Sequence, residues 1–112
     1  MRGRLVSARE RKPALETPGP AVTFLQGDKD TVGVLLDPRL QGEDFEARGR
    51  FLKPSVFEIL PIHLRAMFVH RNGQRFVITY WCELCAIRAY TPGVCPCCQQ
   101  EMALDLQPPD RP

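Results

Sequence analysis

Histidine is scarce in this chain, and long apolar runs are missing. Only His63 and His70 occur in 112 residues, and neither stands beside a nucleophile motif. The usual imidazole-assisted catalytic sets are therefore excluded. No Gly-rich loop of phosphate-binding pattern is present either, which removes the common nucleotide-site signatures. Uncharged apolar stretches run for only a few residues, far short of the ~18 to 20 that a membrane-crossing helix needs. The first residues carry arginines but no apolar core of a secretory leader, so a cytoplasmic location is expected.

What is present suits one modest domain. The chain is 44% hydrophobic, enough for a single core at this length but not for two. Residues 1–20 combine arginine with Pro13, Pro18 and Pro20 and sum to +3, which predicts a disordered basic, proline-rich arm. Residues 107–112 hold three prolines and read as a disordered tail. Residues 21–106 are then the ordered domain.

Within that span apolar residues alternate with period two, in short segments bounded by Gly, Pro, Asp and Asn, so the fold class is mostly β. Ala21 to Gln26 and Thr31 to Leu36 flank Gly27-Asp28-Lys29-Asp30 and predict a hairpin. Phe45, Ala47, Gly49 and Phe51 alternate with Glu46, Arg48 and Arg50, as in a strand with one buried face. Asp37 to Asp44 has room for one helical turn, but Pro38 and Gly42 favour a loop.

Asn72-Gly73 gives the clearest local signal, because a two-residue type I′ turn needs positive φ at both central positions. Its register pairs Arg71 with Gln74, His70 with Arg75, Val69 with Phe76, Phe68 with Val77 and Met67 with Ile78. Apolar groups then fall on both faces, with Met67, Val69, Phe76, Ile78 and Tyr80 on one and Leu64, Phe68, Val77 and Trp81 on the other. Such a hairpin should be central and covered on both sides. Extended further, the register sets His63 opposite Cys82, making it an outside candidate for a metal role.

Chemistry enters with the cysteines. Cys82, Cys85, Cys95 and Cys98 form a C-x2-C-x9-C-x2-C array, two bites of the spacing that lets a turn aim two thiolates at one ion. Cys97 is an alternative ligand, since Cys95-Pro96-Cys97 also offers two thiolates. Clustered cysteines in a reducing compartment suit a metal better than a disulfide framework. Zinc is favoured, with iron held by the same ligands as the alternative. The first pair ends the Asn72-Gly73 hairpin, Ala86 to Tyr90 makes a connecting strand, and Gln99 to Leu106 a strand returning to the sheet.

These cysteine turns, with C-P-x-C in the second, resemble those of zinc ribbons and rubredoxins over residues 80–100. They depart from that pattern at Glu83-Leu84 and Gln99, where such turns often carry glycine, and in the short spacing of nine. The ordered span also resembles small uncharacterised bacterial proteins that share Tyr80, Trp81, Cys82, Cys85, Pro92, Gly93, Cys95, Cys97, Cys98 and Gln99. That resemblance implies an OB-like small barrel; a small antiparallel sheet carrying a C-terminal two-turn metal site is the simpler form.

A four-thiolate site is closed, so the expected function is non-enzymatic: a β module with structural zinc, acting as an accessory subunit or protein-interaction module, with no small-molecule substrate evident. Two alternatives come from other classes. Arg48, Arg50, Lys53, Arg65, Arg71 and Arg75, with Phe68, Tyr80, Trp81 and Tyr90 as stacking groups, would make an OB-like nucleic-acid-binding zinc protein. Iron would make a rubredoxin-like electron-transfer protein. A protein partner is favoured over nucleic acid because the arm at residues 1–20 is of a kind able to order on docking.

Overall fold

The computed structural model describes residues 1–7, 12–18 and 22–109. Its centre is β8 (Gln74–Cys82), the longest strand. The hairpin to β7 (Met67–Arg71) has the register that Asn72-Gly73 dictates, from Arg71↔Gln74 to Phe68↔Val77, and both turn residues take positive φ, 52° and 77°. Along the same edge, the second half of β8 pairs with β9 (Ile87–Ala89), while β10 (Ala103–Gln107) pairs along its opposite edge from Ala103↔Trp81 to Gln107↔Val77.

The remaining strands continue outward from β7. They are β4 (Asp44–Ala47), β1 (Arg2–Ser7), β2 (Pro13–Glu16), β3 (Val22–Gln26), β6 (Val56–Ile59) and β5 (Gly49–Lys53), in that spatial order. The fold is mostly β, as expected, but the ten-stranded sheet is open rather than an OB-like closed barrel, with β10 and β5 at its ends. Nor is it wholly antiparallel. β3 and β6 run parallel, from Phe24↔Val56 to Gln26↔Glu58.

The expected disordered arm is corrected by β1 and β2. Leu5 and Leu15 face each other across that ladder and are fully buried. Burial of two leucines stabilises by several kcal/mol, on the order of 1.5 to 3 each, which outweighs the disorder signal of the local composition. The arginines are accommodated on the wet positions: Arg2 forms two hydrogen bonds to Asp44, at 2.9 and 2.7 Å, and Arg4 pairs with Glu16. Pro13 opens β2, where its missing N–H is least costly. The other arm residues, 8–11 and 19–20, lie outside the described residues, as do Ala21 of the expected first strand and 110–112 of the expected tail, whose Gln107 closes β10.

The predicted hairpin after β3 is instead a strand followed by a helix. Asp28 caps α1 (Lys29–Leu35) by accepting the Thr31 amide at 2.7 Å, and Thr31, Val34 and Leu35 are buried at helical spacing. A single 3-10 turn (Pro38–Leu40) follows. The expected continuous strand from Phe45 to Phe51 breaks at Arg48, whose amide bonds Ala66 while its carbonyl accepts from Leu60. There the chain leaves β7 for β6. Phe45 and Ala47 are buried, but Gly49 and Phe51 are exposed. Gly49 is required at the crossing, because a Cβ would lie 1.9 Å from the Glu58 carbonyl oxygen.

One core joins everything on the inner face. Leu5, Leu15, Val34, Leu40, Phe45 and Val69 pack in the same cluster as Ile78, Tyr80, Cys82, Cys95 and Met102. Phe68 and Val77 on the outer face are also buried, and Phe68 is roofed by the guanidiniums of Arg48 and Arg75, 4.9 and 4.5 Å from its ring centre. Long basic side chains cover the second face with their stems and leave their charges in water.

Candidate metal centre

The two cysteine turns are built alike. At the end of β8, Cys82 Sγ accepts the amide N–H of Cys85, and the next residue, Ala86, takes a left-handed φ of 54°. In the second turn Cys95 Sγ accepts the amides of Cys98 and Cys97, and the next residue, Gln99, has φ of 60°. Each turn thus reverses through a left-handed residue directly after its second cysteine, a place where glycine is the unstrained choice. Backbone bonds from Gln99 N to Cys95 O and Cys95 N to Gln100 O, both 2.8 Å, and Met102 N to Gly93 O, 3.0 Å, close the second loop.

The strands bring the turns together. The Sγ atoms of Cys82, Cys85, Cys95 and Cys98 all lie within 4.8 Å of one another, with Cys82 and Cys98 3.5 Å apart. A tetrahedral site with metal–sulfur bonds of ~2.3 Å has sulfur–sulfur edges of about 3.8 Å, so the four thiols fit one ion with small adjustments. All five cysteines are free thiols. Cys82 and Cys95 belong to the core, whereas Cys85 and Cys98 are half-buried at its rim.

Electrostatics in the cluster is uneven. The Cys98 amide pulls the Cys95 thiol down to about 7 against the cost of burial, helped by the Cys97 amide and by the Cys82 and Cys98 thiols. Cys85 is pushed up by its contact with the Cys97 thiol, by burial and by Cys98 and Cys95. For Cys82 the Cys85 amide acts downward, but burial and the neighbouring thiols outweigh it and raise the group. Thiols packed this closely cannot all ionise unaided. A cation that neutralises the set would resolve the conflict.

The other expected site residues are placed apart. Cys97 is exposed and outside the four-sulfur set, although its thiol reaches Cys85. His63 is not opposite Cys82: it sits on an exposed 3-10 turn (Ile62–Leu64), and Cys82 pairs with Ile87. The hairpin register ends before His63 is reached. Of the basic residues, Arg71 is held by Glu43 at 2.7 Å and Arg50 by Glu58 at 3.2 Å, while Arg48 and Arg75 share Glu46 at 3.8 and 3.9 Å. Lys53 is exposed at the end of β5, and Arg65 stacks on Tyr90. Tyr80 is fully buried and unavailable for stacking on a base.

A buried polar network beside the cysteines went unread in the sequence. Asp37 accepts from the Tyr80 hydroxyl at 2.7 Å and from the Arg39 side chain at 3.0 Å, and Arg39 Nη1 donates to the Met102 carbonyl at 3.0 Å. Burial pushes the Asp37 carboxyl up, but the Arg39 and Tyr80 bonds prevail and hold it below the usual range. This ties the 3-10 turn, β8 and the lead-in to β10 into one unit. Capping signals at Asp37-Pro38 were visible; the partner Tyr80, 43 residues away, was not. No known protein family, curated protein or solved structure matches the chain.

Proposed function

We propose that Cys82, Cys85, Cys95 and Cys98 hold one structural zinc ion in a non-enzymatic β module of a reducing, cytoplasmic environment. The mutual approach of the four sulfurs within 4.8 Å carries the reading. Four thiolates complete a tetrahedron and leave no open position for water or substrate, which argues for structure over catalysis. The ion would join the end of β8 to the loop that leads into β10. As an interaction module, its exposed apolar side chains Leu84 and Val94 offer contacts for a protein partner at the tips of these loops.

Metal analysis of protein purified without added metal tests the assignment. One zinc per chain is expected, Cys98→Ser should lose it, and Cys97→Ser should keep it. Absence of any metal, or loss in the Cys97 variant alone, would overturn the ligand set. A red protein with iron in that stoichiometry would replace the structural reading by electron transfer.

A further inference from the structure

We propose that the cavity on the outer face of β8, between Arg65 and Arg88, binds a phosphate group. The cavity measures about 260 Å³ and has Val77 and Thr79 on its floor, with Arg65, Arg88, Tyr90 and Gln107 around it. This surface is separate from the cysteine cluster and stands without the metal assignment.

Uncommitted hydrogen-bond donors give the site its chemistry. Arg65 lies over the Tyr90 ring, 5.0 Å from its centre, and donates from Nη2 to the Tyr90 hydroxyl at 3.1 Å. Because Tyr90 accepts that bond, its own O–H is left to donate. Arg88 lies over Trp81 at 4.8 Å and uses only Nη1, bonded to Thr79 Oγ1 at 2.6 Å and Asp105 Oδ2 at 2.8 Å. The remaining N–H groups of both guanidiniums have no hydrogen-bond partner among the described residues. Stacking fixes both planes in advance, so little side-chain entropy is lost on binding.

Charge decides the sign of the ligand. Asp105 is the carboxylate at this rim, bonded to Arg88 and to Gln107 Nε2, so two arginines face one acid. A carboxylate ligand has two oxygens and one charge, and a single fork satisfies it. A phosphate can meet both forks, because its terminal oxygens diverge in a tetrahedron, and it supplies the negative charge that two arginines facing one acid leave unbalanced. The phosphate can belong to a free ester or to a single-stranded nucleic acid, whose bases would lie near the arginine-covered aromatics.

Trp81 is the sole tryptophan, so its fluorescence reports on Arg88 directly. The full chain is titrated with inorganic phosphate, adenosine monophosphate and an oligothymidylate, with equilibrium dialysis as the independent affinity measure. Saturable binding that weakens with salt is expected. Arg65→Gln and Arg88→Gln should each weaken it roughly tenfold, and Asp105→Asn should tighten it. An oligothymidylate that binds far more tightly than the mononucleotide, with a steeper salt slope, identifies a strand as the source. Equal affinities identify a free ester. No saturable binding of any of the three, or undiminished binding by both arginine variants at unchanged unfolding midpoints, overturns the site.

Discussion

Tyr80 shows how much a single residue joins. Its ring fills the core, and its hydroxyl satisfies Asp37 across 43 residues of sequence. Burial and the Asp37 bond push the Tyr80 phenol well above its ordinary 10.0, and the same bond helps hold Asp37 below 3.8. The signs oppose each other. Neutral Tyr80 stabilises fully below about pH 10 and less as pH rises beyond it, whereas ionised Asp37 stabilises above about pH 4 and less as pH falls. Tyr80→Phe keeps the ring and removes the donor, so urea unfolding at pH 7 should show a loss of about 1.5 to 3 kcal/mol, the worth of a hydrogen bond to a charged group. The variant should also lack part of the parent's decline above pH 10. An unchanged alkaline limb would mean that the phenol is not held by Asp37.

Elements were legible where their causes are local. Asn72-Gly73 dictates both turn and register within a few residues, and the two x2 cysteine spacings likewise carry their own turn. The α1 segment misleads because Val32 and Val34 favour strand locally, while burial of Thr31, Val34 and Leu35 on one helical face decides the outcome. β1 and β2 mislead in another way: the second partner of β1 is the distant β4, Arg2 lying opposite Glu46, and no period in an arginine-rich, proline-containing stretch announces either strand. The cysteine turns also retain a removable cost. A left-handed alanine costs about 1 to 2 kcal/mol, and the extra chain entropy of glycine takes back about 0.5 to 1. Ala86→Gly, at φ 54°, should therefore raise the stability of the metal-loaded protein by about 0.5 to 1 kcal/mol. Thermal unfolding measures this, and a clear loss would show that the Ala86 methyl contributes packing that outweighs the strain.

At the scale of the whole molecule, the cysteine cluster is continuous with the only core among the described residues. Cys82, Cys95 and Met102 pack in one cluster with Leu5, Leu15 and Val69, so the sheet's far strands and the cysteine loops share one core. Structural zinc contributes on the order of 10 kcal/mol in small modules, comparable to the total stability of a domain, about 5 to 15 kcal/mol. Removing the proposed ion should therefore loosen more than the loops. Hydrogen exchange before and after chelation distinguishes the two cases. If the core is one cooperative unit, amides of β1 and β2 lose protection together with those of β8 and β10, although β1 and β2 lie three or more strands away from β8. Retained protection in β1 and β2, with loss confined to β8 through β10, would mean that the ion clasps one end of the sheet and that the leucine-lined ladder of Leu5 and Leu15 stands by itself.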